Sequence, residues 1–207
     1  MARKTKQEAE ETRENILKAA LDIFFEKGYA RSTFVDVANR IQLTKGAVYW
    51  HFKNKPDLFI SLGKEMENKI EASLVTAMEN AQTLEDLKQV LIEMILFIAK
   101  DPQLQKYYTI VYYRTEWTDE LMSIKKFFDE QESLMVDWFL QILGHAQSTT
   151  EMPKDKNISH LSRALLGLVN GLLADCLVTP PLENKNETTG IVHAGLNTFF
   201  TGLRTMD

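Results

Sequence analysis

In LTKGAVYWHFKNKPDLF, residues 43 to 59, three lysines, a histidine and a glycine stand among Tyr49, Trp50 and Phe52. These groups suit holding a polyanion and touching flat heteroaromatic edges rather than breaking a bond. Lys45 offers a donor for guanine O6 or N7, Ala47 a surface for a thymine methyl, and Tyr49 a ring with a hydroxyl tip. The ring N–H groups of Trp50 and His51, the hydroxyls of Thr33 and Thr44, and the ammonium of Lys55 suit phosphate oxygens on either side of a groove. Gly46 has no side chain to keep the backbone away from a ligand. Aromatics at helical spacing most often build core, and Val48 and Phe52 are expected to do so against Val37, Ile41 and the first helix. Core packing alone gives no reason for Lys45, Gly46, His51 and Lys55 around them.

The elements that must carry these groups are helical. Ile16, Ala19, Ala20, Ile23 and Phe24 form one apolar stripe, preceded by the acidic EAEETRE that suits a helix amino terminus and followed by Gly28 as a stop. Thr33 with Asp36 reads as a capping box for a helix to about Arg40. After the short link Ile41-Gln42-Leu43, Thr44 caps a helix of about two turns ending near Phe52. Two short helices on a tight link, the second polar and aromatic, describe a helix-turn-helix whose second helix enters the major groove. Pro56 fits the first position of a fourth, long helix that runs to about Ala81. Thr83 to Asp86 opens a fifth, ending at Asp101-Pro102, and further helices are expected over about 103–114, 119–146, 159–178 and 188–204. Strand and hairpin signals are scarce. The expected fold is all-α with about nine helices. It comprises an amino-terminal three-helix helix-turn-helix domain, 1–56, and a larger helical domain, 57–207.

Charge supports that division. The chain has a net charge of -5, yet residues 1 to 56 hold 11 Lys and Arg against 7 Asp and Glu, which leaves 13 against 22 for the remainder. A basic module on an acidic body is the electrostatic footprint of a nucleic-acid-binding head. With 44% hydrophobic residues and no apolar run of the length a membrane span needs, the chain is expected to be a cytoplasmic protein with no membrane association. The single cysteine, Cys176, sits in an apolar run and is expected to act as a small hydrophobe.

Residues 10 to 59 resemble the DNA-binding domain of the TetR family of bacterial transcriptional repressors. TKGAVYWHFKNKPDLF, at 44 to 59, is similar to that family's pattern T-(K/R)-G-A-(V/I)-Y-W-H-F-x-(N/D)-K-x-x-L-F, and the opening MARKTKQEAEETRENIL resembles efflux-pump repressors of the AcrR type. The resemblance implies that Lys45, Gly46, Ala47 and Tyr49 face bases, while Thr33, Thr44, Trp50, His51 and Lys55 hold the backbone. Lys45 stands where arginine is frequent, so a bidentate guanine contact becomes a point contact. Gln42 occupies a turn position where the family often has glycine; a positive φ there carries strain of roughly 1 kcal/mol.

Beyond residue 60 the likeness lies in helix pattern and length, and it implies that 57–207 is an effector-binding and dimerisation domain. YYTIVYYRTEW, 107 to 117, places Tyr108, Tyr112 and Thr115 on one helical face. With Phe97, Trp138 and the carboxylates Glu67, Glu116 and Asp137, this segment describes an aromatic cavity suited to planar, cationic or phenolic compounds, although the same spacing also builds ordinary core. Glu67 falls where AcrR-type repressors have a glutamate. Their H-K-C-E segment reads Tyr113-Arg114-Thr115-Glu116 here, so no cysteine-based redox sensing carries over. SHLSRALLGLVNGLLADCLV is apolar nearly all round and includes Gly167 and Gly171, which points to a homodimer through the last two helices.

The expected activity is a ligand-responsive repressor, of a multidrug efflux operon, that leaves a palindromic operator when a small effector binds. The alternative is a DNA-binding regulator of another pathway or one without an effector. An enzyme finds little support: His51, His145, His160 and His193 lack metal-ligand spacing, no phosphate-binding glycine loop or nucleophile elbow appears, and neither a catalytic residue nor a cofactor is expected.

Overall fold

The computed structural model of the chain describes residues 6–115, 121–178 and 185–205. Among them are nine helices and no strand: α1 (Lys6–Lys27), α2 (Phe34–Arg40), α3 (Lys45–His51), α4 (Lys55–Asn80), α5 (Leu84–Lys100), α6 (Pro102–Tyr113), α7 (Met122–Ser148), α8 (Ile158–Val178) and α9 (Lys185–Thr205). The all-α expectation stands.

Most boundaries follow from local chemistry. Thr33 accepts the Asp36 N–H while the Asp36 carboxylate accepts the Thr33 N–H, and Thr83 with Asp86 repeats that reciprocal pair at the start of α5. Thr44 accepts the Ala47 N–H at 3.2 Å and opens α3. The Asp101 carboxylate accepts the N–H groups of Gln103 and Leu104, so Pro102 takes the first position of α6.

Two expectations need correction. Helix α1 is already under way at Lys6, so the acidic residues Glu8 to Glu14 lie within it rather than before it. Pro56 is the second residue of α4, not the first: the Asn54 side chain accepts the Asp57 N–H at 2.8 Å, and the Asp57 carboxylate accepts the Lys53 N–H at 2.9 Å. The proline is tolerated there because any of the first four N–H groups of a helix lacks an intrahelical partner.

The chain forms two compact units, residues 1–68 with 106–127 and residues 69–105 with 128–207. In the first, α1 packs on α2 and α2 on α3 around Ile16, Ala20, Phe24, Val37, Val48, Phe52, Leu58 and Phe59. The rings of Phe24, Tyr29 and Phe59 meet pairwise at 5.2 to 5.6 Å. In the second, α5 packs on α8 and α9 around Leu87, Leu91, Ile95, Leu165, Val192 and Leu196. Helices α4, α6 and α7 each contribute residues to both units. No helix among the described residues is long and apolar enough to cross a membrane.

Candidate nucleic-acid interface

Helix α3 has two chemically different sides. Val48 and, just past its end, Phe52 are buried, with the Arg13 guanidinium 5.5 Å from the Phe52 ring. Tyr49 and Trp50 are 51% and 73% exposed, an unusual state for large aromatics. Lys45 and Gly46 are exposed beside them, and Ala47 is half-buried.

The exposed groups are held in place. Tyr49 lies with its ring 4.8 Å from that of buried Phe34, the first residue of α2, and the Lys45 ammonium stands 5.4 Å from the centre of the Tyr49 ring. A cation over an aromatic face is attracted by its quadrupole. The Trp50 ring meets half-buried His51 edge-on at 4.5 Å. Phe34 was invisible to sequence reasoning because its pairing with Tyr49 is tertiary.

Gly46 is not required by its own surroundings. A β-carbon there would meet only the Thr44 hydroxyl, at 3.8 Å. Glycine in a helix costs up to about 1 kcal/mol relative to alanine, and the contacts within the chain give no reason for it here.

The link before α3 contains the expected distortion: Gln42 has φ 56, the left-handed region, and its N–H donates to the Asn39 carbonyl. Thr33 and Lys55 are drawn into the protein more than the sequence suggested. The Thr33 N–H and hydroxyl both donate to Asp36, whose carboxylate also takes a 2.5 Å hydrogen bond from Lys27. That Lys27 bond, then Thr33, holds the Asp36 carboxyl below its usual range. The Lys55 ammonium donates to the carbonyls of Tyr29, Ala30 and Ser32 at 2.9, 3.1 and 3.2 Å and lies 4.4 Å from the Tyr29 ring centre. Lys55 therefore fastens the α1–α2 turn to α4, a different use from the phosphate grip read from its position.

Of the residues expected to contact a ligand, Glu67, Tyr108 and Tyr112 lie in the first unit. Burial, opposed by the charge of Lys64, pushes the Glu67 carboxyl up to about 7. Burial first, and then the Glu67 charge, raise the Tyr108 phenol, whose ring is 6.4 Å from Tyr112. Phe97, Asp137 and Trp138 belong to the second unit; Phe97 and Trp138 are half-buried and Asp137 is exposed. Glu116 lies outside the described residues. Cys176 is half-buried, and burial pushes its thiol up to about 11. Among the described residues no three His, Cys, Asp or Glu side chains are placed to hold a metal ion.

Comparison with known proteins agrees with this geometry. Residues 16–62 match the family described as "Bacterial regulatory proteins, tetR family", and residues 82–199 match the "MAATS-type transcriptional repressor, C-terminal region". The chain is 30% identical over 185 residues to the transcriptional regulator AcrR of Shigella flexneri, covering 87% of this chain and 85% of AcrR. Its fold is similar to the crystal structure of NalD, the secondary repressor of the MexAB-OprM multidrug efflux pump in Pseudomonas aeruginosa. There the TM-score is 0.81 at 27% identity, over 96% of this chain and 99% of NalD. A complex of SmeT, of Stenotrophomonas maltophilia, with triclosan gives a TM-score of 0.78 at 25% identity, over 92% of this chain and 90% of SmeT. Relatives of this kind are DNA-binding regulators and not enzymes. An exposed, buttressed aromatic face on the second helix of a helix-turn-helix, together with family matches across both halves, assigns the chain to the TetR family of bacterial regulatory proteins.

Proposed function

We propose that this protein is a homodimeric, ligand-responsive transcriptional repressor of a multidrug efflux operon, acting in the cytoplasm. The observation that carries the DNA-binding part is the split of α3, with Val48 and Phe52 buried while Tyr49, Trp50 and Lys45 stand exposed and braced. In this reading Lys45, Gly46, Ala47 and Tyr49 meet base edges. Thr44, whose hydroxyl oxygen accepts Ala47 N–H and keeps its own proton to donate, meets phosphate with Trp50 and His51. Thr33 and Lys55 act mainly by fixing the turn between α1 and α2.

Two heads on a palindromic operator require recognition helices about 34 to 36 Å apart, and in this reading a dimer through α8 and α9 sets that spacing. Support for that interface comes from Gly167 and Gly171 on α8 and Gly190 and Gly202 on α9. A β-carbon at any of them would meet nothing within 4 Å, so a second copy has room to approach closely.

Effector binding is assigned to the Glu67, Tyr108 and Tyr112 group of the first unit. A half-buried carboxyl beside phenols suits cationic or phenolic compounds, and SmeT, whose fold is similar, is known in complex with triclosan, a phenol. Helix α4, which contributes to both units and begins directly after α3, is the element an effector would displace. The effector acts only through its different affinity for the two states.

The test is fluorescence anisotropy with duplex DNA from upstream of the protein's own coding region. Lys45→Ala and Tyr49→Ala are expected to weaken binding by at least about tenfold each. Undiminished binding of both variants would overturn the assignment.

A further inference from the structure

The turn between α1 and α2 is gripped from a second side, by the carboxy-terminal end of α6. The Arg114 guanidinium donates to the Phe25 carbonyl at 2.6 Å and lies 4.9 Å from the Phe25 ring centre. The Arg114 carbonyl accepts the Tyr29 N–H at 3.2 Å. Between these anchors Gly28 adopts φ +79, and a β-carbon on it would stand 3.4 Å from that carbonyl. About two turns earlier, on α6, Lys106 pairs with Asp22 of α1 at 2.6 Å.

Lys55 holds the same turn through the carbonyls of Tyr29, Ala30 and Ser32, and Thr33, the next residue, caps α2. Phe34, which supports Tyr49, follows immediately. A route thus runs from Arg114 to Phe25 and Tyr29, along the backbone of the turn through Ser32 to Phe34, and from its ring to Tyr49 on the exposed face of α3, without passing along α4.

We propose that Arg114 is a positioning residue for DNA binding: it latches the end of α6 to the α1–α2 turn and so sets the attitude of α2 and α3. Tyr108 and Tyr112 lie on the same α6, so an effector that turns this helix pulls on the latch directly. The proposal rests on the reading of α3 as the operator-binding helix.

The experiment compares wild type, Arg114→Ala and Arg114→Lys for operator affinity and for amide hydrogen exchange in the intact protein. Arg114→Ala is expected to bind the duplex about tenfold more weakly, the scale of one charge-assisted hydrogen bond. Its exchange should accelerate across residues 25 to 36 while the apolar half of α1 and helix α5 keep wild-type protection. Arg114→Lys, which retains a cation for the Phe25 carbonyl and ring, should recover most of the affinity. Wild-type affinity in Arg114→Ala overturns the proposal. So does a loss that Lys does not rescue and that comes with faster exchange throughout, which marks general destabilisation. If Lys45→Ala binds as well as wild type, the α3 reading itself has failed; the exchange pattern then reports the latch separately.

Discussion

The α-carbon of Gly63 in α4 faces the hydroxyl of Tyr107 in α6: a β-carbon on residue 63 would stand 2.7 Å from that oxygen and 2.8 Å from a ring carbon of Phe127. Tyr107 is buried, and its ring also meets Phe59 at 5.9 Å, so neither ring has free space into which to retreat. Overpacking of this kind costs about 1 to 3 kcal/mol. Gly63→Ala is therefore expected to lower unfolding stability by that amount in urea titration. Tyr107→Phe removes one of the two obstacles. The double variant should lose less than the sum of the single ones, which a double-mutant cycle measures.

Gly46 gives the opposite sign for stability. A β-carbon there meets only the Thr44 hydroxyl at ordinary contact distance, and alanine is the better helix former by about 1 kcal/mol. Gly46→Ala should therefore raise the melting temperature by about 2 to 4 °C while weakening operator binding. A variant both more stable and equally tight would show that nothing approaches this residue from outside.

Which parts of this were legible in the sequence depended on distance along the chain. The caps at Thr33, Thr44 and Thr83 could be read because each completes its bonds within three residues. Pro56 lies one place further into α4 than its sequence position suggests because Asn54 is the cap, accepting the Asp57 N–H by the same three-residue logic. The positive φ of Gln42 was legible from the family pattern. The grip of Lys55 spans 23 to 26 residues, and that of Arg114 on Phe25 spans 89, and periodicity carries no information on such pairings. A lysine with phosphate-binding character and one that ties down carbonyls look identical in one dimension.

Gln42 supplies a further stability test. A left-handed L-residue costs roughly 1 to 2 kcal/mol, while glycine costs about 0.5 to 1 kcal/mol in unfolded-chain entropy. Gln42→Gly should stabilise the protein by a net of about 0.5 kcal/mol, a rise of about 1 to 2 °C in thermal unfolding. Gln42→Val, with its β-branch at φ 56, should lower it.

The Glu67 carboxyl gives a pH dependence with a defined sign. Burial raises it from an ordinary 4.5 to about 7, against the opposing charge of Lys64. Between those values the folded chain holds a proton that the unfolded chain has released. Its contribution to stability is therefore complete below about 4.5 and is lost as pH rises through about 7. Glu67→Gln removes this titration. Its melting temperature should exceed that of wild type at pH 8, and the gap should close as the pH falls toward 5. Because the side chain keeps part of its water, the gap at pH 8 should be about 1 to 2 °C. A cationic effector bound beside the carboxylate would favour the ionised form, so its affinity should rise as the pH is raised through about 7; a neutral phenol should not gain affinity over that rise.

The dimer reading is tested where the folded chain has space. Gly167 and Gly171 lie on α8, and β-carbons there would meet nothing within 4 Å in the single chain. Gly171→Glu therefore leaves the helices of one copy undisturbed apart from helix propensity. Against a second copy the same carboxylate would be buried without a partner, at a cost of several kcal/mol. Light scattering at micromolar concentration should give a dimer for wild type and a monomer for Gly171→Glu, with the helical circular dichroism unchanged. Operator affinity should fall with the dimer, since one head supplies only one half-site. A variant that remains dimeric places the interface elsewhere than on this face of α8.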